Sequence, residues 1–251
     1  MKYLKVENLE SDSQIKIVTL NRPEVKNAFN PEMISEITQT FKNFNQDKEI
    51  KAVILQGSGS VFCAGADLNW MKEMAAYTYE QNIEDSEKLW DMFESISHCE
   101  TVVVGIAQGA AYGGALGLLA CCDYVVADEK TQFCFSEVKL GLAPAIISSF
   151  ILKKISDAFA RPFMLSAEVF NVNQAMIMGL VNDTKNISLT EVAKKFSGNG
   201  LEAMKATKNL LNSIGRGNSW AEQKALTTKT ISERRISAEG QQRLEKFLTK
   251  S

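Results

Sequence analysis

Two glycine-rich turns and one carboxylate carry the clearest chemistry in this sequence. At Gly113-Gly114 an apolar strand pattern, Val102 to Ile106, has given way to an apolar helical one, Gly114 to Cys122. The first amides of such a helix have no intrahelical acceptor and sit at the positive end of its dipole. With no side chains at the turn, a ligand oxygen can approach the backbone directly. Cys63-Ala64-Gly65-Ala66-Asp67 is a second small-residue turn ahead of a second helical stretch. Two amides from such turns, facing one point, form an oxyanion hole. Small residues also serve close helix–strand packing, and each turn alone is explained that way; convergence is what separates the two readings. Glu137 follows Phe133-Cys134-Phe135 and precedes Leu140-Gly141-Leu142. A carboxylate in apolar surroundings has its pKa raised and can carry a proton near neutral pH. Its neighbour Lys139 permits the opposite reading, a solvated edge residue.

Other chemistries lack their residues. Gly57-Ser58-Gly59 follows a strand but has no third glycine for a dinucleotide fingerprint, and neither a GxxxxGK[ST] phosphate loop nor a GxSxG elbow occurs. His98 is the single histidine, placed at a helix end, so a histidine-dependent nucleophile is not expected. Cys63, Cys99, Cys121, Cys122 and Cys134 form no CxxC pair and stand in apolar contexts. They read as buried thiols of a reducing compartment, and no metal site is expected.

These residues need elements to hold them. Gln14 to Leu20 alternates and is β-branched, a strand stopped by Asn21-Arg22-Pro23. Asn30-Pro31 starts a helix, with Asn as N-cap and Pro at the first helical position. Met33, Ile34, Ile37, Phe41 and Phe44 then share one face. Further strands are expected at Ala52–Leu55, Val102–Ile106, Tyr124–Ala127 and Phe133–Phe135, with an amphipathic helix over Glu80–Ser97. From Pro144 onward the patterns are almost only helical. Strands alternating with helices predict an α/β fold with right-handed crossovers.

The 251 residues carry a formal net charge of -2, with no Lys/Arg-rich block, which argues against nucleic acid as a partner. Thr101 to Cys122 has no charged residue and is long enough to span a bilayer. Its five glycines, and its change of character midway, read instead as strand, turn and buried helix, so no membrane partner is expected. The polar N-terminus shows no signal or transit pattern, and the expected location is cytoplasmic.

The ordered motifs resemble the crotonase (enoyl-CoA hydratase/isomerase) family. Asn21-Arg22-Pro23-Glu24-Val25-Lys26-Asn27-Ala28-Phe29 resembles its N-terminal motif, and Phe62 to Leu68 its first oxyanion loop. Gln108 to Asp123 resembles the second loop with its helix, and Ser136 to Pro144 the catalytic-carboxylate segment. Within the family, Phe62 through Asn69-Trp70-Met71, Gly113 to Gly117 and Ser136-Glu137-Val138 are most similar to bacterial 3-methylglutaconyl-CoA hydratases.

The resemblance implies a crotonase-like ββα spiral core over 1–190 and a helical C-terminal trimerisation region over 191–251. It implies the Ala66 and Gly114 amides as the oxyanion hole and Glu137 as the proton carrier. Val25, Lys26, Ala28, Ala64, Asp67 and Leu68 match the wall for coenzyme A, beside Gly113. Trp70, Tyr112 and Pro144 match the acyl pocket, while Phe247 and Lys250 match residues that reach coenzyme A in a neighbouring subunit. The implied partners are an acyl-CoA thioester and further copies of the chain, as trimer or hexamer, with no cofactor beyond the substrate's coenzyme A. One departure stands out: Gly117 occupies a position where two-carboxylate hydratases carry glutamate. Three activities stay open: hydration of an enoyl-CoA such as 3-methylglutaconyl-CoA, Δ3,Δ2-enoyl-CoA isomerisation by a single glutamate, and acyl-CoA binding without catalysis.

Overall fold

The computed structural model describes residues 1–184, 189–214 and 217–249. Lys250 lies outside them. Five strands form the main sheet: β1 (Leu4–Leu9), β2 (Asp12–Leu20), β3 (Ala52–Gly57), β4 (Val102–Ala107) and β6 (Tyr124–Ala127), in the order β1-β2-β3-β4-β6. β1 runs antiparallel to β2, and the others are parallel, with Ile15 paired to Ala52, Ala52 to Val102 and Val104 to Tyr124. Parallel strands covered on both faces read as continuous apolar runs, as Ala52–Leu55 and Val102–Val104 do. Alternate residues then divide between two layers. Val18, Leu20, Val53, Leu55, Val103 and Val125 join the large core cluster. Ile15, Ile17, Ala52 and Ile54 pack toward Leu189, and Val102, Val104 and Val126 pack on Val192 of the other layer.

Helix α1 (Pro31–Phe44) starts where the sequence places it: the Met33 amide donates to Asn30 Oδ1 at 3.0 Å, and the five expected apolar residues are buried. After β3 come α2 (Leu68–Met74) and α3 (Tyr79–Ser97), the latter closed at its start by a Thr78/Gln81 capping box. The charge-free run is β4, then β5 (Ala110–Tyr112), then α4 (Gly114–Cys121). Among the described residues no helix is long and apolar enough to cross a membrane. All five cysteines are buried and unpaired, and His98 is the exposed C-cap of α3.

A second sheet is the part that positions the site. β5 pairs in parallel with β7 (Gln132–Cys134), which pairs antiparallel with β8 (Phe170–Asn171). Helices α5 (Ala145–Lys154), α6 (Asp157–Ser166) and α7 (Val172–Met178) follow, then α8 (Leu189–Ser197), α9 (Leu201–Ser213), α10 (Trp220–Ile236) and α11 (Ala238–Leu248). The last two contribute no buried residue, and Trp220, Ile236 and Phe247 are exposed.

Candidate active site

The turn before α2 is held from two sides. On one side lies β5: Phe62 N–H donates to Gln108 O (2.8 Å), Cys63 N–H to Ala110 O (3.3 Å), and Tyr112 N–H to Cys63 O (3.2 Å). On the other lies the segment after β2: Ala64 N–H donates to Lys26 O (3.0 Å), Phe29 N–H to Gly65 O (2.9 Å), and Asp67 N–H to Phe29 O (3.0 Å). This last pair is a parallel bridge centred on Ala66. It uses the groups on either side of Ala66, so Ala66's own N–H faces away from Phe29, toward β5. That amide donates to no group among the described residues. Gly65 is required here because its φ is +93° and a Cβ would stand 2.7 Å from Tyr112 O.

The second turn meets the first. Gly113 has φ 54° and ψ -126°, and its N–H donates to Cys134 O at 2.9 Å. Gly114 then opens α4, and its amide, as the first of the helix, has no intrahelical acceptor. A Cβ placed on Gly65 would be 3.8 Å from the Gly114 nitrogen. The two small-residue turns therefore touch, and both bring an unpaired N–H.

Glu137 comes to the same place through sheet register. Tyr112 of β5 pairs with Cys134 of β7, and the 3-10 turn Glu137–Leu140 begins three residues later. A Cβ on Gly113 would lie 3.4 Å from Glu137 Oε1 and 3.3 Å from Ser136 Oγ, so any larger residue would crowd the carboxylate. Glu137 is half-buried, and its Oε2 is buried with no hydrogen-bond partner. Burial pushes its pKa up from the ordinary carboxylate value, with its own backbone amide opposing. Among the described residues no ion pair engages this carboxylate.

The family model for enoyl-CoA hydratase/isomerase matches residues 10–246. The chain belongs to the enoyl-CoA hydratase/isomerase family. An enoyl-CoA hydratase of Alternaria alternata, AKT6-1, is 35% identical over 217 residues, covering 85% of this chain and 66% of the relative. The chain thus matches just under two thirds of that relative's length. A Shewanella pealeana enoyl-CoA hydratase structure superposes with a TM-score of 0.91 at 34% identity, covering 99% of this chain and 94% of that one. Pseudomonas aeruginosa AtuE superposes with a TM-score of 0.92 at 27% identity, covering 99% and 97%. The crotonase fold expected from the motifs is the fold observed.

The remaining expected residues differ in where the structure places them. Val25, Lys26 and Leu68 are exposed beside the first turn, Ala64 is half-buried, and Lys26 adopts a left-handed conformation at φ 54°. Ala28, Asp67 and Trp70 are buried. The Asp67 carboxylate accepts from Asn69 N–H at 2.7 Å, capping α2, and pairs with Arg22 Nη2 at 2.8 Å. Burial raises its pKa, but these partners outweigh that and hold it below the usual value. Its carboxylate is thus bound inside the protein, with only its backbone left beside the wall. Trp70 packs its ring 6.2 Å from Phe29 and donates its indole N–H to Asp85 at 3.3 Å, inside the core rather than on an open surface. Tyr112 is half-buried over the first turn, and Pro144 precedes α5 as its N-cap. Phe247 lies 71% exposed on α11, a helix that packs against α9 and α10.

Gly117 is three residues along α4 from Gly114. A Cβ there would stand 2.7 Å from Ile147 Cγ2 and 2.7 Å from Phe93 Cε1, both buried side chains. Aromatic and aliphatic carbon already occupy the space that a second glutamate would enter. Two residues essential to the geometry, Asn27 and Phe29, received no role from sequence. Asn27 is completely buried, donating to Ser58 O and Val61 O at 2.8 Å each and accepting from Arg22 N–H at 2.9 Å. Asn27 stands among other polar residues, with Lys26 just before it, so its residue type alone did not single it out.

Proposed function

We propose that this protein is an enoyl-CoA hydratase that adds water to an α,β-unsaturated acyl-CoA through a thioester enolate. The carrying observation is one cluster: two acceptor-less amides, Ala66 and Gly114, on touching turns, with the unpartnered Glu137 carboxylate beside Gly113. In this reading the thioester oxygen accepts from both amides, which are worth most as negative charge develops on it. Glu137 takes a proton from water as the oxygen bonds to the β-carbon. The electron pair of the double bond moves onto the thioester, giving the enolate. Glu137 then returns the proton to the α-carbon, and the product is the 3-hydroxyacyl-CoA.

A single carboxylate leaves the water with one protein partner fewer than in two-glutamate hydratases. The packing of Phe93 and Ile147 on Gly117 rules out a glutamate side chain there without rearrangement. We take the substrate to supply the missing group as a distal carboxylate, as 3-methylglutaconyl-CoA does. Similarity of the Phe62–Met71 and Gly113–Gly117 segments to that subgroup supports this choice. The exposed apolar side chains of α10 and α11, Trp220 and Ile236 among them, support a trimer or hexamer.

Turnover of 3-methylglutaconyl-CoA and crotonyl-CoA, each in oxygen-18 water, is the test. Label in the product of the acidic substrate, with much slower crotonyl-CoA hydration, is expected. Equal rates on both would remove the distal-carboxylate role. The same single-glutamate site favours one second reading, Δ3,Δ2-enoyl-CoA isomerisation, which needs one proton shuttle and leaves the product unlabelled.

A further inference from the structure

Phe29 is bound to both halves of the site by different parts of itself. Its backbone N–H and C=O hold Gly65 O and the Asp67 amide at 2.9 and 3.0 Å, and so orient the Ala66 amide between them. Its ring presses on the other half: a Cβ on Gly114 would stand 2.4 Å from Phe29 Cζ and 3.3 Å from Cε1. The residue is buried at 1% exposure, with Trp70 against the ring. Two positions upstream, the buried Asn27 amide ties the same segment to Ser58, Val61 and Phe62. The backbone of Phe29 cannot shift away from the first turn, and its ring cannot enter the second.

We propose that Phe29 is a positioning residue that sets the separation of the two oxyanion donors, one through its backbone and one through its ring. The inference rests on the oxyanion reading given above. A rigid aromatic spacer suits the task, because interiors packed at crystal-like density transmit displacement rather than absorb it. A misplacement of about 1 Å at a reacting centre costs on the order of 10²-fold in rate.

The experiment measures kcat, KM and the bound absorption maximum of 4-dimethylaminocinnamoyl-CoA, whose red shift reports polarisation of the thioester carbonyl. Phe29→Leu keeps an apolar side chain but shortens the spacer, and Phe29→Met replaces it should that variant not fold. The expected result is a kcat lower by about tenfold, KM within about twofold, and a reduced red shift. Gly114→Ala alone collides with the ring, and combining it with Phe29→Leu relieves the collision, so the double variant should recover part of the kcat lost by Gly114→Ala. A folded Phe29→Leu with wild-type kcat and full red shift would overturn the positioning role, as would losses that simply multiply in the double variant. Absence of any red shift in the wild-type protein overturns the oxyanion reading itself, and the role of Phe29 with it.

Discussion

Gly117→Ala and Gly117→Glu probe whether the single-carboxylate site is built into the packing. The methyl of alanine would meet Phe93 Cε1 and Ile147 Cγ2 at 2.7 Å and Phe93 Cζ at 2.9 Å. Neither neighbour can swing aside freely: Phe93 packs its ring 5.5 Å from that of Phe150, and both are buried. Overpacking of this kind costs about 1–3 kcal/mol. Alanine in a helix interior returns about 0.5–1 kcal/mol through its better propensity. The net is about 1 kcal/mol of destabilisation, which lowers Tm by roughly 2–4 °C for a chain of this size.

Glutamate adds a further methylene and a carboxyl group beyond the same colliding Cβ. Lys154, half-buried on α5, already donates to Leu119 O and Cys122 O at the far end of α4 and is not placed to pair with it. An uncompensated buried charge costs about 3–5 kcal/mol, so Tm should drop by roughly 6–20 °C. Restoring the second glutamate of two-carboxylate hydratases should therefore fail unless space is made, as in Phe93→Ala/Gly117→Glu. Differential scanning calorimetry and crotonyl-CoA hydration rates on these variants settle the matter. If Gly117→Glu keeps the wild-type Tm and hydrates crotonyl-CoA faster than the parent, Phe93 and Ile147 do not exclude a second carboxylate and the packing argument is wrong.

Glu137→Gln should lower kcat by about 10²–10⁴-fold with binding of coenzyme A thioesters retained, measured by steady-state kinetics and calorimetric titration. Because burial raises the Glu137 pKa and the carboxylate form accepts the proton, kcat/KM should fall on the acid side with a midpoint above the ordinary 4.5. Asp67 behaves oppositely: its folded pKa is depressed, so its contribution is present above 3.8 and is lost as pH falls through the folded value. With Arg22 and Asp67 side chains only 11% and 7% exposed, Asp67→Asn should cost about 3 kcal/mol at neutral pH and flatten the acid end of a urea-denaturation profile against pH. Lys154→Met removes the donor to Cys122 O (2.7 Å) and should cost about 1–3 kcal/mol, read as a fall in Tm.

Most of the sheet that forms the core was legible in the chain, whereas of the sheet that forms the site only β7 was, expected at Phe133–Phe135 and observed at Gln132–Cys134. β3, β4 and β6 are short apolar runs, β2 alternates and is β-branched up to the Asn21-Arg22-Pro23 stop, and α1 announces itself through Asn30-Pro31 and its five-residue stripe. β1 was missed because only Leu4 and Leu9 of its six residues are buried, so an edge strand of LKVENL looks like a charged tail. β5 and β8 have three and two residues. Nothing local marks strands so short; they exist because β7 offers a partner distant in sequence. At the site, residue types carried the information about the glycines and Glu137, since only small residues permit such backbone approach. The burial of Asp67 and Trp70 depends on Arg22 and Phe29 arriving from another segment, which spacing alone does not encode.

That second sheet explains how the Gly114 amide and Glu137, the proposed donor and acid, come together. Gly113 N–H to Cys134 O continues the β5–β7 ladder one step past Tyr112, so the same register that ends β5 at the Gly114 amide brings the chain to Glu137 three residues beyond Cys134. On the other side of β5, the Tyr112 N–H to Cys63 O bond aligns the Ala66 turn with the same strand. A strand's side chains alternate faces, so a one-residue slip of β7 would turn Phe133 out of the core and move Glu137 relative to Gly113. Phe133 is held by its stack on Phe170, ring centroids 5.5 Å apart, and that contact penalises such a slip. The alignment of the proposed site is therefore a consequence of core packing two strands away: the apolar register fixes the main chain, and the main chain carries the Ala66 and Gly114 amides.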